Sequence, residues 1–131
     1  MAGGGSARLF KSTEPGLADG AQRRDFIWVG DVVDVALWLL DAPDVSGLFN
    51  VGTGQARTYL DLAGAVCDAA GVPRGIAFID MPAPLRGQYQ SFTEASVTRL
   101  RAAGYVGQFT PIEEGIRRYV QDYLAQPDHY L

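Results

Sequence analysis

The sequence predicts an α/β fold, because short apolar segments with strand propensity alternate with segments that carry helical periodicity and capping signals. The chain has 131 residues, of which 47% are hydrophobic and 20% charged, as is typical of one globular domain with a buried core. The predicted strands are few and short, whereas a parallel sheet needs several strands and a cover on both faces. We therefore expect some of these strands to complete a sheet that other sequence supplies.

Four segments have the composition of strands. Residues 7–11 form a short predicted edge strand, and the stretch 12–22 that follows is rich in Gly, Pro and Asp, which indicates a loop. The other three predicted strands are 25–29, 48–51 and 76–79, which are dominated by aromatic, branched and other apolar residues.

Four further segments have helical signals. Asp31 is predicted to cap a helix that runs to Leu40 and is apolar on nearly all sides, which is typical of a helix covered by other structure. Thr58 and Asp61 have the spacing of a capping box, and Gly71 ends the helix that follows. The last two predicted helices are 94–103, which Gly104 ends, and one capped by Thr110 with Pro111 at its first position.

Composition argues against several classes of function. The net charge of −4 disfavours nucleic acid as a partner, and the longest apolar run, 35–40, is too short to span a membrane. Residues 1–6 read as a flexible lead-in and carry no signal-peptide pattern. With a single cysteine, Cys67, and a single histidine, the chain has no internal disulfide and is a poor candidate for a metal site, which fits a cytoplasmic protein.

The Gly52-Thr53-Gly54 turn allows two interpretations. A glycine-rich turn between a strand and a helix can cradle a phosphate, or it can simply be a tight connection. The dinucleotide fingerprint requires a third glycine at position 57, which is Arg57 here, and an acidic residue about twenty positions on, where Ala70 and Gly71 stand. We therefore favour the tight turn.

Two other features leave their interpretation open from local sequence alone. Arg23 and Arg24 precede a predicted buried strand, where they are either solvated charges at its rim or a fork that binds a phosphate or carboxylate. Tyr89 lies in a long predicted loop, where it either binds a ligand or anchors the loop.

Three longer blocks resemble the C-terminal part of the ADP-L-glycero-D-manno-heptose 6-epimerases, a family of the extended short-chain dehydrogenase/reductase superfamily. The blocks read RRDFIWVGDVVDVALWLL, SGLFNVGTGQARTYLDLA and LRGQYQSFTEASVTRLRAAGY, and the similarity runs from about Ala7 to Leu124. The first two are similar to motifs of many nucleotide-sugar epimerases and dehydratases, and the third resembles the ADP-heptose enzymes in particular.

The resemblance implies one part of a larger enzyme. Such enzymes bind NADP on an N-terminal Rossmann domain, which also supplies a Ser and a Tyr-x-x-x-Lys pair, and they invert C6 of the heptose by transient oxidation and reduction. Their product enters lipopolysaccharide inner-core synthesis, and they form homo-oligomers. Residues 7–131 then correspond to a single C-terminal substrate-binding domain without the Rossmann domain.

The resemblance also implies which residues bind substrate. They are those that match the family's contacts, namely Phe10, Lys11, Ser12, Thr13, Arg24 and Tyr89. Lys11 and Ser12 depart from the family pattern, which often has Phe-Glu-Gly-Ser at this point. No catalytic residue carries over, because no Tyr-x-x-x-Lys exists in the sequence, and we expect no cofactor bound to this chain alone.

The expected partners are an ADP-sugar and a protein surface that covers the apolar segments. Without the Rossmann part, Trp28, Val35, Trp38 and Leu39 are predicted to be partly uncovered, so the chain is expected to associate with the missing half or with itself. Two alternatives remain: a fragment of another nucleotide-sugar epimerase or dehydratase, and a non-catalytic module that oligomerises or binds sugar nucleotides.

Overall fold

A computed structural model of the protein describes residues 6–128, so all of the predicted lead-in except Ser6 lies outside the described residues. Within them the predicted α/β class is confirmed. The elements in chain order are β1 (Ala7–Phe10), β2 (Arg23–Arg24), α1 (Val29–Asp41), β3 (Arg57–Thr58), α2 (Tyr59–Ala70), β4 (Ile76–Ile79), a 3-10 turn (Ala83–Leu85), α3 (Thr98–Ala102), α4 (Ile112–Arg118) and a π-helical turn (Tyr119–Leu124) that continues α4.

The strands form two small sheets. In the first, β1 and β4 run parallel with Ala7 opposite Ile76, which confirms both predicted strands. In the second, β2 and β3 are antiparallel, with Arg23 opposite Thr58. Arg23 also bridges to Phe92 on its other side, so β2 lies between two hydrogen-bonded neighbours.

The predicted strands at 25–29 and 48–51 are wrong for this chain. Residues 25–28 and 48–51 have no regular secondary structure, and α1 already begins at Val29. A strand persists only when a neighbour accepts and donates its backbone hydrogen bonds, and strand propensity mostly reports how side chains pack on such a sheet. Both segments have the propensity, but no described strand of this chain pairs with them.

Asp31 does not cap α1, which corrects the prediction. The N-cap residue is Trp28, and no side chain caps the helix there. The buried Asp31 carboxylate instead accepts hydrogen bonds from the backbone nitrogen and the hydroxyl of Thr110, at 2.6 and 2.8 Å. Thr110 is thereby occupied and does not cap α4, for which Pro111 is the N-cap residue.

Helix α2 begins and ends as its sequence predicts. The Thr58 hydroxyl accepts from the backbone nitrogen of Asp61, and the Asp61 carboxylate accepts from that of Thr58, both at 3.0 Å. Gly71 follows the helix with a φ of 67°, in the left-handed region that glycine adopts without strain.

Helix α3 is shorter than the predicted 94–103. The residues before it are bound to other segments: the Glu94 carboxylate accepts from the backbone nitrogen of Ala56, and the backbone nitrogen of Ala95 donates to the Asp25 carboxylate. Those contacts hold residues 94 and 95 out of the helix, which begins at Thr98.

The core packs one side of α1 against α3 and the loop after it. Val35, Leu100 and Tyr105 are buried together, with Trp38, Leu39, Phe49, Val51 and Phe109 packed around them. Val35 is only 2% exposed because Leu100 and Tyr105 cover it, so its predicted exposure is wrong. Trp28, Trp38 and Leu39 are half-buried, as predicted.

The opposite side of α1 is apolar and open. We call it the outer face of α1, and it consists of Val29, Val32, Val33, Ala36, Leu37 and Leu40. Leu40 is 77% exposed and Leu37 is 54% exposed. The spacing i, i+3, i+4, i+7 is that of one continuous helical stripe, which is ordinarily buried against another element.

No helix in residues 6–128 combines the length and apolar character needed to cross a membrane.

The capping box of α2 gives a first prediction. Thr58→Ala removes the hydroxyl that accepts a hydrogen bond from the backbone nitrogen of Asp61, which has no partner within the helix. The free energy of unfolding should therefore fall by about 1 kcal/mol. Urea unfolding followed by circular dichroism measures this loss. Thr13→Ala, in an exposed loop, is the control and should leave the unfolding midpoint within error; an equal loss in both variants would contradict the prediction.

Candidate functional site

The sheet around β2 brings the candidate residues together from three parts of the chain. Arg24 lies on β2, and Tyr59 directly follows β3. The third part, residues 91–93, runs along the other side of β2: the backbone nitrogen of Arg23 donates to the carbonyl of Ser91 at 2.8 Å. Tyr89 lies two residues before Ser91, so this pairing places Tyr89 next to Arg24.

Four aromatic rings pack in a row at this point. Phe10 and Tyr89 meet edge to face at a centroid distance of 6.0 Å, and the Tyr89 ring lies 6.4 Å from the Tyr59 ring. Tyr59 in turn meets Phe26 edge to face at 5.5 Å. Such pairs add about 0.5–1.5 kcal/mol beyond the burial of their surface, so the row holds its members in a fixed arrangement.

Arg24 lies over the ring of Tyr89, with its guanidinium carbon 5.3 Å from the ring centroid. One guanidinium nitrogen donates to the carbonyl of Arg23 at 2.9 Å, and among residues 6–128 no carboxylate forms an ion pair with Arg24. The cation is therefore oriented by an aromatic face while its charge stays uncompensated. That combination suits the binding of an anion.

Tyr89 is held in its neutral form. Its burial and the neighbouring Tyr59 hydroxyl raise the pKa of Tyr89 to about 12, although the Arg24 charge acts in the opposite direction. At neutral pH the phenol therefore keeps its proton and can donate a hydrogen bond to a phosphate or hydroxyl oxygen.

Of the other predicted site residues, Lys11 and Ser12 have partners of their own. Lys11 forms an ion pair with Asp80 at 3.0 Å. The backbone nitrogen of Ser12 donates to Asp19, its hydroxyl contacts Glu14, and Thr13 lies exposed in the same loop. The structure thus brings Phe10, Arg24 and Tyr89 into contact, while Lys11, Ser12 and Thr13 occupy the adjoining loop; their role in binding stays a prediction.

Gln22 is a positioning contact that sequence reasoning missed. It is 3% exposed, and its side-chain amide donates to the carbonyls of Phe10 and Lys11, both at 3.4 Å. The backbone carbonyl of Gln22 accepts from the backbone nitrogen of Tyr59 at 3.0 Å. Gln22 therefore connects the end of β1 to the aromatic row, and only its place in a polar loop was visible from the sequence.

The Gly52-Thr53-Gly54 turn surrounds a carboxylate of the protein itself. The Asp25 side chain accepts from the backbone nitrogen and the hydroxyl of Thr53, from the backbone nitrogen of Gly54 at 2.9 Å and from that of Ala95 at 3.1 Å. The backbone nitrogens of Thr53 and Gly54 and the Thr53 hydroxyl are thereby used. This arrangement agrees with the predicted tight turn, and the donors that bind Asp25 are not available to a cofactor phosphate.

These hydrogen bonds stabilise the ionised form of Asp25. Burial alone would raise its pKa, but the donors from Thr53, Ala95 and Gly54 outweigh burial and bring the pKa below its ordinary value. Sequence reasoning missed this residue because its partners lie 28 to 70 positions away.

A further cavity lies apart from the six predicted substrate residues. It is an apolar groove of about 490 Å³ between residues 26–29 and α4, and its lining includes Trp28, Val29, Ile116 and Tyr119. None of the six predicted substrate residues lines it. The groove instead adjoins the outer face of α1 through Val29, so the two form neighbouring parts of one uncovered apolar surface.

Comparison with known proteins confirms the resemblance. Residues 5–52 match the model of the NAD dependent epimerase/dehydratase family. The chain is 54% identical over 127 residues to an ADP-L-glycero-D-manno-heptose-6-epimerase of Nitratidesulfovibrio vulgaris strain DP4, which covers 97% of this chain and 39% of that protein. It is 44% identical over 133 residues to the protein of the same name from Fusobacterium nucleatum, covering 97% of this chain and 40% of that protein.

A solved structure agrees with the fold. The UDP-glucose 4-epimerase of Thermus thermophilus, determined in complex with NAD, superposes with a TM-score of 0.64 at 29% identity. The match covers 86% of this chain and 33% of that one. The chain thus spans about two fifths of the curated relatives it matches and a third of this structure.

The low pKa of Asp25 gives a second prediction. A carboxyl whose pKa is lower in the folded state contributes stability above its unfolded pKa of about 3.9 and loses it as the pH falls through the folded pKa. Asp25→Asn should therefore unfold more easily than the parent at neutral pH, and the gap should narrow below about pH 4. Urea unfolding at both pH values measures the gap, and a gap of constant size would contradict the prediction.

Proposed function

We propose, from the premise that this chain is similar over almost its whole length to part of the ADP-L-glycero-D-manno-heptose 6-epimerases, that it is the substrate-binding part of an NADP-dependent epimerase of this kind. It would bind the ADP-sugar whose C6 is inverted on the route to the lipopolysaccharide inner core, in the cytoplasm and within a homo-oligomer. The observation that carries the proposal is the 54% identity across 97% of the chain.

The candidate site supports an ADP-sugar as ligand. Arg24 offers an uncompensated cation for the diphosphate, and a charge-assisted hydrogen bond of this type contributes about 1.5–3 kcal/mol. Tyr89, neutral at physiological pH, offers a donor to an oxygen of the phosphate or sugar. Phe10 supplies an apolar surface next to both.

The residues present do not fit the cofactor. The donors of the Gly52-Thr53-Gly54 turn bind Asp25, and the sequence has no Tyr-x-x-x-Lys; its only lysine, Lys11, pairs with Asp80. The residues of this chain therefore supply no hydride step. NADP would be held by the part of the relatives that the chain does not span, and we expect no epimerisation by the chain alone, since catalysis requires cofactor and sugar in one cleft.

The uncovered surfaces support such a partner. The outer face of α1 and the adjoining groove are apolar, and residues 25–28 and 48–51 flank α1 with strand propensity and no strand partner in the described chain. A protein part that supplied neighbouring strands would bury the outer face of α1. It would also provide backbone hydrogen-bond partners for residues 25–28 and 48–51. In its absence the same surface is expected to bind a second copy.

A different nucleotide sugar is the alternative that an observation favours. Lys11 and Ser12 stand where the family often has Glu and Gly, and Lys11 is fixed by Asp80 beside Phe10. Titration of ADP-, UDP- and dTDP-sugars distinguishes the two. A non-catalytic module that binds sugar nucleotides or oligomerises is the remaining alternative; an upstream reading frame that encodes a Rossmann part would count against it.

Removal of Arg24 tests the proposed site. Arg24→Ala should weaken ADP-sugar binding by roughly 10- to 100-fold, because one charge-assisted contact to the diphosphate is lost. Isothermal titration calorimetry measures the affinity, and circular dichroism shows whether the fold is kept. Arg117→Ala, which removes the same charge from α4, is the control and should bind like the parent. Unchanged affinity in Arg24→Ala would remove Arg24 from the site, and a parent chain that binds no nucleotide sugar would contradict the proposed function.

Removal of apolar surface from α1 tests the proposed partner surface. The parent chain should self-associate at micromolar concentration, and Leu37→Glu with Leu40→Glu should shift it towards monomer, because the charges oppose burial of the outer face of α1. Static light scattering measures the mass. Val72→Glu, at an exposed apolar position outside α1, should leave association unchanged; a monomeric parent would contradict the prediction.

A further inference from the structure

We propose that Asp25 is a positioning residue for the Arg24–Tyr89 pair: its carboxylate holds the segment that follows Tyr89 in register with β2, and so keeps the ring under the guanidinium. The proposal rests on the proposed function only in assigning Arg24 and Tyr89 to substrate. The positioning itself follows from contacts of the described residues.

The carboxylate of Asp25 connects three separate segments. It extends from the end of β2 and binds Thr53 and Gly54 on one side and Ala95 on the other. Four donors converge on it, and among residues 6–128 no cation pairs with it. The charge is therefore held by oriented N–H and O–H groups, each of which depends on the position of its own segment.

Gly52 makes this approach possible. A Cβ atom at position 52 would lie 2.7 Å from a carboxylate oxygen of Asp25 and 2.5 Å from the Cβ of Ala95. Both distances are shorter than atoms tolerate, so any side chain there would push Asp25 and Ala95 apart. The first glycine of the turn thus serves the contact between residues 25 and 95.

The Asp25–Ala95 bond continues the pairing along β2. Ser91 accepts from the nitrogen of Arg23, and the nitrogen of Thr93 donates to the carbonyl of Arg23 at 3.2 Å. The nitrogen of Ala95 then donates to the Asp25 side chain, so that alternate residues 91, 93 and 95 are all bound to β2 or the residue after it. Tyr89 is the preceding member of this alternation.

The register of this segment decides whether Arg24 meets Tyr89. Arg24 is fixed by its pairing with Arg57 in the sheet, whereas Tyr89 belongs to a loop outside the strands. The ring of Tyr89 packs on Phe10 and Tyr59, but the course of its backbone follows from the segments on either side. If residues 91–95 slide or detach, the ring moves and the 5.3 Å contact is lost. Asp25 is thus one residue from the cation in sequence and controls the position of its aromatic partner through Ala95.

An amide in place of the carboxylate breaks the arrangement without changing its size. Asn has one acceptor oxygen, so its amino group would face two N–H or O–H donors instead of accepting from them: either those of Gly54 and Ala95, which bind one carboxylate oxygen, or the two of Thr53, which bind the other. Asp25→Asn should therefore loosen residues 91–95 while the helices stay folded.

Nuclear magnetic resonance of the Arg24 side chain tests the proposal in the full chain. The Nε–Hε signal of Arg24 should carry a ring-current shift from Tyr89, and Tyr89→Leu gives the position of that signal without the ring. In Asp25→Asn we expect the signal to move most of the way to the Tyr89→Leu position. ADP-sugar affinity, where the parent has one, should fall about tenfold.

Glu94→Gln is the matched control. It removes a carboxylate that accepts from the nitrogen of Ala56 at 2.8 Å, next to Ala95, but it leaves the Asp25 contacts in place. A general loss of stability would affect both variants, whereas only loss of positioning moves the Arg24 signal in Asp25→Asn alone.

The outcomes are distinct. A folded Asp25→Asn variant with an unmoved Arg24 signal overturns the proposal, as does an equal movement in Glu94→Gln. If Asp25→Asn does not fold, Thr53→Val, which removes one donor to the carboxylate, should move the signal part of the way, and no movement there overturns the proposal. A parent chain that binds no nucleotide sugar would contradict the proposed function, and the Arg24 Nε–Hε signal would still decide the role of Asp25.

Discussion

The candidate site depends on two residues of backbone, Arg23 and Arg24, that are hydrogen-bonded on both sides. On one side β3 fixes the start of α2 and with it Tyr59; on the other, residues 91–93 fix the loop that carries Tyr89. A strand of this length has little stability of its own, so its neighbours hold it as much as it holds them. The side chains of Gln22 and Asp25, just before and just after it, extend its hydrogen bonding to β1 and to residue 95.

Described residues pack on both sides of β2 but on only one side of α1. One side of α1 packs on Leu100 and Tyr105, while its outer face stays uncovered. Burial against described residues therefore explains the apolar residues on one side of α1 but not those of its outer face. Residues 48–51 likewise lack a partner among the described residues. Their composition favours a strand, and a strand without a neighbour does not form. The candidate site around β2 and the uncovered outer face of α1 are thus different surfaces.

Local signals predicted the elements that local interactions determine. The capping box and Gly71 define α2, because all the groups involved lie within one turn of the helix ends. The strands at 25–29 and 48–51 could not be decided in this way, since pairing depends on sequence far away or outside the chain. Asp31 shows the same limit: its spacing suits an N-cap, but its partner Thr110 lies 79 residues on and was invisible to a local argument.

The contents of the Gly52-Thr53-Gly54 turn show why a motif must be judged with its surroundings. Converging backbone N–H groups bind an anion whether it is a cofactor phosphate or a carboxylate of the protein. In this chain Asp25 occupies the turn. Because Asp25 is part of the same chain, its binding costs no translational or rotational entropy of association, whereas the binding of a free phosphate does. A bound phosphate would have to displace that carboxylate from its hydrogen bonds and meet its negative charge. A glycine-rich turn therefore argues for a cofactor only when no acidic side chain of the fold is placed to fill it, and the acid is 28 residues upstream in this chain.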